Sequence, residues 1–89
     1  MTAKDALHAA LELVQQNRYS ESALYLTDVV ASLAFGGSHR KVDLSRIAIL
    51  DEDGQAAAVD LITAKIRGSY PDEAWALTAD KMLETTKGR

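Results

Sequence analysis

The residues of this chain with the best chance of doing chemistry outside its own fold are three cations and two aromatics. Arg40 and Lys41 follow Ser38-His39 in a short basic island, with Arg46 a few positions downstream. Cations at this spacing suit an anion, either a phosphate or the carboxylates of an acidic partner, because a guanidinium can hold both oxygens of such a group at once. The same charges also suit a solvated loop that keeps the chain soluble. Tyr70 and Trp75, on either side of Pro71, form the main aromatic cluster. Large rigid side chains of this kind anchor protein interfaces, although the one Trp of a small domain also serves as core. Arg40, Lys41, Arg46, Tyr70 and Trp75 are therefore the candidate partner-binding residues.

Other patterns fail on their spacing. Asp51, Asp53 and Asp60 invite comparison with a calcium loop, but aligning Gly54 with the glycine of that loop puts Ile49 where the first liganding acid belongs. Asp60 then falls where a bidentate Glu is required, so these acids read as helix caps. His8 and His39 are the only histidines and lie too far apart in sequence for a paired metal motif. Ser38 beside His39 has no third group to orient the imidazole, and sequence neighbours rarely face each other productively. Gly36-Gly37-Ser38 lacks the glycine spacing and the Lys-Ser/Thr of a phosphate loop. With no cysteine, disulfides and thiolate chemistry are absent. The expectation is no catalytic residue, no metal and no cofactor.

Charge narrows the partners. The net charge of -3 divides into -2 over residues 1–37, +2 over residues 38–50 and -3 over residues 51–89. A nucleic-acid binder usually carries a broad basic face, whereas this chain has one basic island between acidic flanks. Another protein is the expected partner, with nucleic acid the alternative. The longest uncharged stretch, Val29 to His39, is about half of the ~20 apolar residues that a membrane span requires. Residues 1–10 carry Lys4, Asp5 and His8 without the apolar run of a secretory signal. A soluble cytoplasmic protein is expected.

The elements that must position these groups are helical. An apolar fraction of 47% over 89 residues implies a packed core in a single domain, with no room for a second. Such a core supplies only about 4 to 9 kcal/mol of net stability, so association with a further chain would help. Thr2 followed by Asp5 starts a helix that runs to about Gln16, with Ala3, Leu7, Ala10, Leu11 and Val14 as its apolar stripe. Ser20 caps a second helix, which places Ala23, Leu26, Val30, Leu33 and Ala34 on one face, widened by Leu24 and Ala31, before Gly36-Gly37 ends it. The two form an antiparallel hairpin.

The segment from Ser38 to Leu50 fits a short helix capped by Asp43, although Arg46 to Leu50 could also be a strand that turns at Asp51–Gly54 and pairs with Gln55 to Val59. Ala56, Ala57 and Ala58 favour the helical reading. On that reading Asp51 caps a third long helix with Ala58, Leu61, Ile62, Lys65 and Ile66 on its inner face, and Gly68 ends it. Pro71 then opens a last helix with Trp75, Thr78, Ala79 and Met82 inside.

Asn17-Arg18-Tyr19-Ser20-Glu21-Ser22-Ala23 resembles the junction between paired helices of a tetratricopeptide repeat. Ser22 stands where that family prefers Ala, and no second copy follows at its 34-residue step, so the likeness implies a helical hairpin rather than membership. From Val30 onward, the order Leu33, Gly36, Val42-Asp43-Leu44, Leu50-Asp51 and Tyr70-Pro71 is similar to small helical domains of unknown function encoded on bacterial mobile elements. That resemblance implies a plasmid, phage or genomic-island origin and brings no active site. The expectation is an all-α compact bundle of four main helices with a short extra helix near Leu44. Its expected role is a non-enzymatic protein-interaction or regulatory protein, with a homodimer as one form and a DNA-binding regulator using the basic loop as the alternative.

Overall fold

A computed structural model describes residues 2–36, 42–68 and 70–87. Four α-helices and one 3-10 helix account for the regular structure: α1 (Ala3–Gln16), α2 (Glu21–Phe35), the 3-10 helix Leu44–Ile49, α3 (Glu52–Arg67) and α4 (Asp72–Thr86). Among the described residues there is no strand, so the helical reading of residues 46–59 holds and the hairpin alternative does not.

Local side-chain chemistry sets the helix boundaries. The Thr2 hydroxyl accepts the amide hydrogen of Asp5 at 3.1 Å, and the Ser20 hydroxyl accepts that of Ala23 at 3.0 Å. Asp51 accepts from the amide of Gly54 at 2.7 Å, and Asp43 accepts from the amide and hydroxyl of Ser45 at 3.0 and 2.7 Å. Each cap satisfies an amide that the first turn leaves without a helical partner. Gly68 ends α3 in the left-handed conformation, at φ 66°, which glycine adopts without steric cost. Pro71 occupies the cap position of α4, one residue before the first helical residue, and provides no side-chain acceptor.

The hairpin of α1 and α2 is the centre of the bundle. Each of its helices packs against both α3 and α4, whereas α3 and α4 keep their backbones apart and meet through the side chains of Lys65, Asp72 and Trp75. A helix contacted from several sides must be apolar nearly all round. In α2 this is so: Ala23, Tyr25, Leu26, Thr27, Val29, Val30 and Ala31 are all buried, and Thr27 satisfies its hydroxyl on the carbonyl of Ala23 at 2.8 Å. The single stripe expected for α2 is therefore too narrow, and Leu24, placed in that stripe, lies on the exposed side.

The inner face of α3 also differs from expectation. Gly54, Ala57, Ala58, Leu61 and Ala64 are buried, Ile62 and Lys65 are half-buried, and Ile66 is 79% exposed. Ile66 follows Leu61 by five residues, a rotation of roughly 140° at 3.6 residues per turn, which carries it off the buried face. Small residues line the inside of α3 because the first turn of α2 comes very close there. A Cβ on Gly54 would stand 2.8 Å from the Ser22 hydroxyl oxygen. In α4, Trp75, Ala79 and Met82 are buried as expected, with Thr86 added to them, and Thr78 is half-buried.

Among the described residues, no helix is long and apolar enough to cross a membrane. No buried side-chain nitrogen or oxygen among them lacks a hydrogen-bond partner.

Candidate functional site

The five candidate residues do not form one cluster. Arg40 and Lys41 lie outside the described residues. Arg46 stands in the last turn of the 3-10 helix, where its guanidinium lies 3.5 Å from the Glu21 carboxylate at the start of α2. Both groups are well exposed, so solvent screens the pair and its contribution to stability is small. Glu21 thereby offsets the charge of one of the three candidate cations.

The same region is tied to α2 by Tyr25, whose hydroxyl donates to the carbonyl of Asp43 at 3.0 Å. Burial pushes the Tyr25 hydroxyl above its ordinary pKa, the Asp43 carboxylate pushes it further, and Arg46 opposes them. The Asp43 carboxyl is held below the usual carboxylate range, chiefly by the hydrogen bonds from Ser45. Glu21, Leu24, Tyr25, Asp28 and Arg46 surround a shallow cleft of about 180 Å³ with charges of both signs. This cleft is structural wiring between the 3-10 segment and α2, and it carries no grouping of nucleophile and base.

Tyr70 is half-buried against the core at the junction of α3 and α4, and Trp75 is 1% exposed. The ammonium of Lys65 sits over the Trp75 ring at 5.1 Å from its centre and pairs with Asp72 at 3.2 Å. Lys65 thus places its ammonium between the indole face and the Asp72 carboxylate, so one charge meets both groups of α4. Trp75 is a core residue here, and as a surface anchor it is withdrawn by its burial.

Between α1 and α3 runs an open groove of about 390 Å³, with Ala9, Leu13 and Ala57 inside it and the exposed residues Glu12, Asp53 and Ala56, with Asp60, along its edges. Among the described residues, no three His, Cys, Asp or Glu side chains are grouped so as to hold a metal ion. His8 is exposed on α1 and lies 3.8 Å from Glu12 one turn on, while His39 falls outside the described residues.

What sequence reasoning missed is the outward face of α3. Val59 is 53% exposed and Ile66 79%, and beside the start of this helix Ile49 of the 3-10 helix is 66% exposed. The Gln55 side chain holds the two elements together by donating to the carbonyls of Ala48 and Leu50 at 3.3 and 3.0 Å. Counting 100° per residue, Glu52, Ala56, Val59, Thr63, Ile66 and Arg67 point within roughly 60° of a common direction, and all six are exposed. The signal available in the sequence was the alanine run: a helix that buries Ala57, Ala58 and Ala64 leaves its β-branched residues for the other side.

Comparison of the chain with protein families, curated proteins and solved structures finds no match.

Proposed function

We propose that this chain is a non-enzymatic interaction or regulatory protein that works by binding another protein. The observation that carries this reading is the outward face of α3. Single exposed aliphatic residues are ordinary on a protein surface, but Val59 and Ile66 in line on one helix, with Ile49 beside its start, concentrate apolar area on one side. Such a strip, rimmed by Glu52 and Arg67, has the layout of a helix-borne recognition surface with an apolar middle and charged ends. The reading is consistent with a cytoplasmic protein, and a small acidic inhibitor from a mobile element is one version of it.

Affinity capture with the tagged full chain from the source cell, followed by mass spectrometry, tests the proposal. A protein recovered with the parent chain and lost with Ile66→Glu is the expected result. Recovery equal for both chains would count against the α3 face, and specific retention of duplex DNA in place of protein would favour a DNA-binding regulator.

A further inference from the structure

We infer that the groove between α1 and α3 receives a basic helix of the partner protein, one with arginine or lysine on both borders of a narrow apolar stripe. The inference rests on the interaction reading above and names the chemistry of the partner. The groove opens onto the outward face of α3, since the exposed Ala56 lies on both.

Charge selects the occupant. Glu12 stands on the α1 wall, Asp53 and Asp60 stand on the α3 wall, and no basic residue lines the groove. Among the described residues neither Asp53 nor Asp60 has an ion pair, and Glu12 has the exposed His8 alone, at 3.8 Å. Arg67 borders Asp60 only across a separate pocket, further along α3, that Thr63 and Ala64 also line. Helix electrostatics account for one of the three acids, because Asp53 complements the positive start of α3. Asp60 is mid-helix, where aspartate is a poor helix former, and Glu12 lies towards the negative end of α1. Among the described residues no three acids are grouped to hold a metal ion, so these carboxylates suit cations spaced along a chain. The same charges repel a nucleic-acid backbone or an anionic lipid surface.

Shape selects a helix. Ala9, Leu13 and Ala57 give the groove an apolar interior, and an extended segment laid there would leave its own amides and carbonyls facing them. A helix satisfies those groups internally and presents its apolar stripe to the interior. Asp53 and Asp60 are seven residues apart, about 10 Å along α3, so the matching cations are two turns apart on the occupant. The contact is smaller than a standard interface, and an isolated helix should bind with a Kd on the order of 100 μM.

The test is alanine methyl NMR of the full chain as a capped peptide of about 18 residues, long enough to be helical alone, is added to about 2 mM. The peptide is alanine and leucine with arginines bordering one stripe. The Ala9 and Ala57 methyl resonances should move saturably, while that of Ala79, buried in α4, stays in place. Raising salt from about 50 to about 500 mM should weaken binding by about fivefold or more. The chain carrying Glu12→Gln, Asp53→Asn and Asp60→Asn should bind about tenfold more weakly, with far-UV circular dichroism confirming that its fold is retained. A peptide of the same composition with its arginines spread round the helix should leave Ala9 and Ala57 unmoved. No movement with the bordered peptide, equal movement with the spread one, or binding undiminished in the triple variant would overturn the assignment. Should the peptide fail while affinity capture still recovers a protein lost with Ile66→Glu, the basic helix is overturned and the interaction reading stands. Peptide binding in the groove, with capture indifferent to Ile66→Glu, would support the groove and count against the outward face.

Discussion

Replacing Gly54 with alanine puts helix propensity and packing in direct opposition. Gly54 is in the first turn of α3, two residues after its first helical position, and propensity alone assigns Gly→Ala in a helix a gain of up to about 1 kcal/mol. The added Cβ would stand 2.8 Å from the Ser22 hydroxyl oxygen, 3.2 Å from the Ser22 Cβ and 3.0 Å from the Asp51 carboxylate oxygen. Turning the Ser22 hydroxyl aside relieves the first contact and leaves the other two. Moving Asp51 loosens the 2.7 Å cap bond to the amide of residue 54, and losing a cap costs about 1 kcal/mol. Overpacking of this kind costs about 1 to 3 kcal/mol, so packing wins and Gly54→Ala should be destabilised by about 1 kcal/mol net. For a chain of this size that lowers Tm by about 4 to 8 °C. Thermal and urea unfolding followed by far-UV circular dichroism measure it. Adding Ser22→Ala should recover part of the loss, since the two sites touch. A Gly54→Ala chain more stable than the parent would refute the close approach of α2 and α3.

Other outcomes follow from the same contacts. Trp75→Ala should cost about 3 to 5 kcal/mol, a large share of the stability of so small a domain, read as a lowered midpoint of urea unfolding followed by far-UV circular dichroism. Asp51→Ala should cost about 1 kcal/mol by urea unfolding, with hydrogen-exchange protection falling most at the start of α3. Tyr25→Phe should cost about 1 kcal/mol by removing the donor to the Asp43 carbonyl. The Tyr25 hydroxyl has a higher pKa folded than unfolded, so its contribution is fully present below the unfolded value of about 10 and is lost as pH rises through the folded value. Tyr25→Phe should therefore remove part of the alkaline decline in stability that sets in above about pH 10.

The parts of the fold that depend on local chemistry were legible in the sequence. Thr2, Ser20, Asp43 and Asp51 each cap the helix they announce, and Gly68 and Pro71 close α3 and open α4. Trp75 and Met82 could be assigned to the core because only one face of α4 is strongly apolar. The rest depends on which helices meet. Ile66 resembles an inner residue by hydropathy, and it faces outward because a close α2–α3 approach favours alanine and glycine at the contact. Leu24 shares a helix with Val30, yet the contacts of α2 with three neighbours turn a different arc inward. Of the candidate site, Arg46 gains an acid partner that its sequence context does not reveal, because Glu21 lies 25 positions earlier. The α3 face was missed for the same reason that Ile66 was misplaced, although the alanine run was a signal for it.

The claim that this chain works by binding another protein through the outward face of α3 is tested most directly by isoleucine methyl NMR as a protein recovered by affinity capture is titrated in. The four isoleucines divide usefully: Ile66 is exposed on that face and Ile49 beside its start, while Ile47 and Ile62 pack against the core. Binding at this face predicts that the Ile66 δ1 methyl resonance moves or broadens steadily as partner is added, while that of Ile47 stays in place. An Ile66 resonance that holds still across the whole series, or one that moves no more than Ile47, would contradict it.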